Sequence, residues 1–134
     1  MLFTDKVLSA SEYNPLAVAY IGDTVYDLFI RTKIMEKGNK QVTNMHKEAI
    51  KYVNATAQAK CVELIEPYLT EEEKRIIRWG KNAKSASVPK NANVKDYHIA
   101  TGFEALLGSL YISNQQERLD EILRITYDEI SKII

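Results

Sequence analysis

Two stretches of this chain are apolar around most of a helical turn, contain glycine, and carry one acid each. The first is Leu16-Ala17-Val18-Ala19-Tyr20-Ile21-Gly22-Asp23, and the second is Gly102-Phe103-Glu104-Ala105-Leu106-Leu107-Gly108. A helix that is apolar on nearly every side sits in the middle of a structure or in an interface. Glycine weakens a helix, so its presence suits a place where another backbone must come close. A lone carboxylate in such surroundings is costly unless it is paired, protonated, held at a rim or bound to a cation. Two readings are open. Each acid, Asp23 or Glu104, faces solvent or meets a nearby Lys or Arg; or the two converge on one divalent ion. Magnesium favours oxygen ligands and commonly takes only one or two carboxylates, with water completing its shell. Asp27, one turn beyond Asp23 on the same helix face, either joins such a pair or surrounds it.

The rest of the chain reads as helical. Asn14-Pro15 is a helix start, with Asn as the cap and Pro at the first helical position, and that helix stops near Gly38. A second helix is predicted over residues 40 to 65, because Val42, Met45, Ala49, Val53, Ala57, Cys61 and Leu64 step by three and four; Pro67 ends it. Thr70 and Glu73 read as a capping box opening a third helix that reaches Gly80. A polar loop follows over residues 81 to 95, then helices over 97 to 112, capped by Asp96, and 116 to 133. No stretch alternates with a period of two, so the class is all-α.

Composition bounds the function. A chain of 134 residues, 46% hydrophobic, suits one domain (1–134) with one core. Its single Cys61 excludes an internal disulfide and a cysteine-based zinc site, and fits a reducing cytoplasm. No apolar run is long enough to span a bilayer, and the N-terminus lacks the pattern of a signal peptide. The 18 basic and 18 acidic residues cancel, yet Lys74, Arg75, Arg78, Lys81, Lys84, Lys90 and Lys95 follow one another without an intervening acid. Local charge sets a phosphate footprint. The loop residues Lys81, Asn82, Lys84, Ser85 and Lys90 are therefore candidate RNA contacts, against the plainer reading of a solvated loop. His46, beside Lys47, is either a partly buried, hydrogen-bonded histidine or an RNA contact. His98 has the same ambiguity. Trp79 reads as core or interface, since stacking proteins present several aromatics.

At the two acidic segments the chain resembles a known family. AYIGDTVYDLFIR is similar to the signature helix of ribonuclease III, and GFEALLGSLYI to that family's second acidic motif. Leu16–Asp23, the loop KNAKSASVPKN and TGFEALLG together resemble its short bacterial form, Mini-ribonuclease III. The resemblance covers nearly the whole chain. It implies an all-α ribonuclease III endonuclease fold and a homodimer. It also implies magnesium-dependent cleavage of double-stranded RNA that leaves 5′-phosphates. Maturation of both ends of the 23S ribosomal RNA precursor is implied as the role, and whether a ribosomal protein assists is left open. The resemblance to the short form carries the expectation that the separate RNA-binding domain of the larger relatives is lacking. The family's signature aspartate matches Asp23, and its second-motif glutamate matches Glu104. Its other two acids fall on Ala19 and Thr101, as in the short form, which leaves one or two metals per site open. Asp96 and Tyr97 lie near enough in sequence to support the pair. The dimer also follows from the apolar helices, because a chain this small has few internal partners to cover them and a two-fold interface would bury the rest. A non-catalytic RNA-binding module of the same fold, or a plain helical interaction domain, are the rival readings.

Overall fold

The protein is described by a computed structural model, which covers residues 3–84 and 88–134. Among those residues there are six α-helices, α1 (Pro15–Glu36), α2 (Val42–Ala49), α3 (Ala55–Ile65), α4 (Glu71–Lys81), α5 (Val94–Ile112) and α6 (Gln116–Ser131), with short 3₁₀ turns at Ala10–Glu12 and Glu66–Tyr68. The all-α expectation holds.

The organising element is α5, which packs against α1, α3, α4 and α6. From Ala100 to Leu110 every residue of α5 is buried except Glu104. Phe103, Leu106 and Leu107 are fully enclosed, each stabilising the fold by about 1.5–3 kcal/mol through burial. The surrounding helices turn one stripe each toward α5, with Tyr26, Ile30 and Ile34 from α1, Cys61 and Ile65 from α3, and Leu119, Ile122, Leu123 and Ile130 from α6. Steps of three and four place these residues on single faces. Tyr26 meets Phe103 edge to face, ring centroids 5.1 Å apart.

The helix ends follow local chemistry. Asn14 caps α1 by accepting from the Ala17 amide at 2.9 Å. Gly38, at φ 125°, takes the left-handed turn after α1 that a side chain would resist. Thr70 and Glu73 form the capping box of α4.

Two expectations need correction. The helix foreseen over 40–65 is two helices. Asn54 separates them: its Oδ1 accepts from the Ala57 amide at 2.9 Å, and its Nδ2 donates to the Ile50 carbonyl at 2.8 Å. One side chain thus starts α3 and satisfies the end of α2, and asparagine favours such caps over a helix interior. The apolar spacing persists across the break because Ala49, Tyr52 and Cys61 all turn to the same core. Second, α5 begins at Val94, three residues before the expected 97. Asn93 is its cap, accepting from the Asp96 amide, so Asp96 sits in the first turn, where the helix dipole favours an acid. Unlike α5, α1 is not enclosed on all sides. Leu16, Tyr20 and Leu28 point outward, Tyr20 with 79% of its surface exposed.

Candidate active site

The site is made by two backbones in contact. Gly22 of α1 lies on the carbonyl of Glu104 in α5, and Gly108 of α5 lies on the carbonyl of Val18 in α1; a Cβ at either glycine would overlap the opposite chain. Bare glycines on both helices let the axes approach at this crossing and fix their relative height. Asp23 follows Gly22 directly. Its carboxylate consequently reaches that of Glu104, eighty-one positions later in sequence, within hydrogen-bonding distance.

The electrostatics are those of two acids in a confined place. Asp23 is exposed at the rim and Glu104 is half-buried. Loss of water around Glu104, reinforced by the neighbouring Asp23, pushes its carboxyl up to about 8, while a hydrogen bond from Gln58 works against that rise. Asp27 does not join them; its Oδ1 accepts from Arg31 Nε at 3.2 Å. Ala19 is buried, and Thr101 closes a hydrogen bond to the Tyr97 carbonyl at 2.9 Å, so neither position adds a charge. Among the described residues no cluster of three or more His, Cys, Asp or Glu forms a larger ligand set.

Gln58 is the residue that sequence reasoning missed. It comes from α3 and is 4% exposed. Reading the α3 stripe through Ala57 and Leu64 hides it; the buried line runs Gln58, Cys61, Ile65. A polar residue in step with that line was the available signal.

The basic segment starts beside this crossing. A Cβ at Gly80 would lie 2.6 Å from the Ala105 Cβ and 2.9 Å from the Gly102 Cα, so the end of α4 packs on the stretch of α5 that flanks Glu104, and Lys81 and Asn82 follow Gly80 directly. Lys81, Asn82, Lys84 and Lys90 are all exposed; Ser85 lies outside the described residues. Lys74 and Arg75 pair with Glu71 and Glu72, which removes them from the apparent run of positive charge. His46 and Lys47 stand elsewhere, on α2, which packs against α1. His46 is exposed rather than partly buried, and borders a hollow of about 300 Å3 with Arg31 and Met35. Lys47 borders another of about 530 Å3 with Lys37 and Lys51. Asp96 faces a hollow between α3 and α6 and lies about 12 Å along the α5 axis from Glu104. His98 is half-buried, its ring edge-on to Tyr97. Trp79, also half-buried, borders the N-terminal segment from Val7 to Tyr13.

The ribonuclease III domain family model matches residues 16–115, a span that holds both helices of this crossing and both of its acids. The Mini-ribonuclease 3 of Thermoanaerobacter sp. is 49% identical over 98% of this chain and 91% of its own length. That of Clostridium tetani is 45% identical over 90% of this chain and 83% of its own length. The crystal structure of protein FN1578 from Fusobacterium nucleatum superposes with a TM-score of 0.76 at 30% identity, covering 87% of this chain and 93% of that one. The chain belongs to the ribonuclease III family, within its Mini-ribonuclease 3 branch. It is an endoribonuclease of double-stranded RNA, which sets aside the non-catalytic readings of the same fold.

Proposed function

We propose that Asp23 and Glu104 are the catalytic, cation-holding carboxylates of this nuclease, that the cation is magnesium, and that the RNA is a precursor of 23S ribosomal RNA trimmed at both ends. The observation that carries this reading is the meeting of the two carboxylates at the glycine crossing. Two acids held this close repel one another, and a divalent cation relieves that repulsion. The donors are carboxylate oxygens, joined among the described residues by no histidine or cysteine, which suits a hard ion such as magnesium. The chemistry supplied when the cation is bound is activation of water and neutralisation of phosphate charge. The protein's own part is to hold the carboxylates in register and to keep Glu104 in a partly dry setting, where each charge counts for more.

Lys81, Asn82, Lys84, Ser85 and Lys90 are assigned to the RNA backbone. A-form duplexes are read mainly through phosphates and 2′-hydroxyls, so an exposed polar loop suffices without base contacts. His46 and Lys47 are kept as outlying contacts to the same duplex. The active form is a homodimer, so that each subunit cuts one strand. The face available for pairing is the outer side of α1 with the N-terminal segment, where Phe3 and Tyr13 border an apolar hollow of about 390 Å3 and Leu16 and Tyr20 of α1 are exposed. No helix among the described residues is long and apolar enough to cross a membrane, and the reading places the enzyme in the cytoplasm with its substrate.

The test is cleavage of precursor ribosomal RNA with and without magnesium, with the ends mapped. Asp23→Asn is expected to abolish cutting while duplex binding and thermal unfolding stay near those of the parent. Normal turnover by that variant in magnesium would remove the assignment.

A further inference from the structure

α3 buries three side chains, Gln58, Cys61 and Ile65. Cys61 and Ile65 join the apolar core; Gln58 is a carboxamide in the same line. A buried amide without a partner costs about 1–3 kcal/mol, so the surroundings of this one matter. Buried Thr101 and Thr126 satisfy themselves on their own helices, on the Tyr97 and Ile122 carbonyls, and buried Glu73 is answered from α6 by Arg118. Gln58 is buried where α3 packs against α5, and from there it acts on the Glu104 carboxyl against the rise that burial imposes. The height of α3 is set four residues earlier by the Asn54 cap, so the amide is delivered to Glu104 by a fixed helix start.

We propose that Gln58 is a positioning residue that turns the Glu104 carboxylate toward Asp23 and, being uncharged, holds the site at two negative charges, matched to a single divalent cation. This rests on the reading of Asp23 and Glu104 as the cation-holding pair. An amide can donate an N–H to a carboxylate without adding to its charge. A glutamate at 58 would place a third carboxylate against the other two. A leucine of similar size would leave Glu104 with nothing from α3 to orient it. Groups that orient a metal-binding carboxylate govern affinity even though they do not touch the ion.

The test uses the full chain, free of RNA, titrated with magnesium chloride by calorimetry and by thermal shift, followed by duplex cleavage at stepped magnesium. For Gln58→Leu the magnesium dissociation constant is expected to rise at least about tenfold, with KM for RNA unchanged once magnesium saturates. For Gln58→Glu magnesium should bind more tightly than to the parent, and the metal-free variant should melt below the parent and recover on adding the ion. A folded Gln58→Leu variant with the parent's magnesium titration would overturn the proposal. So would a Gln58→Glu variant that binds no more tightly, which decides the matter even where Gln58→Leu fails to fold. Asp23→Asn separates the two levels. If it abolishes magnesium binding while Gln58→Leu leaves it intact, only the positioning role fails. If it too leaves binding intact, the reading of the pair fails, and the positioning role with it.

Discussion

Gly22 rests on the peptide carbonyl of Glu104, so the residue before one acid touches the residue that bears the other. Adding a single methyl here has nowhere to go, because the obstacle is backbone. Gly22→Ala is expected to cost about 3 kcal/mol or more of stability. Whatever folded protein remains should lose most of its cleavage, because the helices must separate. Chemical denaturation together with a duplex cleavage assay checks both; a variant with the parent's midpoint and turnover would contradict the close approach.

Glu104 should carry a stability cost that function imposes. Its carboxyl is raised from 4.5 to about 8 in the folded, metal-free protein, chiefly by loss of water and then by Asp23. A raised acid favours the fold below its unfolded value, and that benefit is lost as pH climbs through the folded value. Between about pH 5 and pH 8 the metal-free protein should thus lose part of its stability, and Glu104→Gln should not. The variant is expected to melt a few degrees above the parent at pH 8 without metal, while being inactive. Melting curves at several pH values in chelator would show it, and a parent whose stability does not fall over that window would count against the placement of this carboxyl.

Arg118 of α6 donates from Nε and Nη2 to the two carboxylate oxygens of Glu73 in α4, both at 2.7 Å, and from Nη2 to the Tyr68 carbonyl at 2.8 Å. Glu73 is buried, and Arg118 holds its carboxyl below the ordinary glutamate range. A lowered acid contributes stability above its unfolded value and loses it as pH falls through the folded one. Glu73→Gln is expected to cost about 1.5–3 kcal/mol at neutral pH. The difference from the parent should vanish once the pH drops well below about 4. Paired urea titrations at pH 7 and pH 3 measure it.

Cys61 is enclosed beside the Tyr26 hydroxyl, 3.9 Å away, and burial pushes its thiol up to about 12. A thiol reagent at pH 8 should react about a thousandfold more slowly than with an exposed cysteine, because it needs the thiolate and access to it. Full reactivity should return in denaturant. Rapid labelling of the native protein would place this residue outside the core.

Replacing Lys81, Lys84 and Lys90 together by alanine is expected to weaken duplex binding by about tenfold or more at moderate salt. The slope of log affinity against log salt should flatten by about 2 to 3. Fluorescence anisotropy over a salt series reads both; an unchanged slope would mean that these cations do not meet phosphate.

Much of this fold is legible from residue order because its helix signals are local. Asn14-Pro15, the Thr70–Glu73 box and the spacing within α6 each act within a few residues, and each appears in the structure where expected. Asn54 defeats that reading, since an apolar line with the right period crosses a break made by one side chain working in both directions. Charge counting along the chain likewise overstates the basic run, because Glu71 and Glu72 lie just upstream on α4 and answer Lys74 and Arg75 one turn later. The acid pair was visible because each member interrupts an apolar segment. Gln58 is harder to read: its step with Cys61 and Ile65 marks it as an inward polar residue, but which group it meets depends on how α3 docks against α5.

The near-total enclosure of α5 means that one segment is both the keel of the fold and the carrier of Glu104, the acid proposed to hold the cation. Nothing between Ala100 and Leu110 can be resized without displacing Glu104, so adaptation to heat or cold has little room there. Such tuning is left to the outward sides of α2, α4 and α6, where side chains can change without reaching the chemistry. Natural variants suited to different growth temperatures should differ on that rind and keep the centre nearly constant in size.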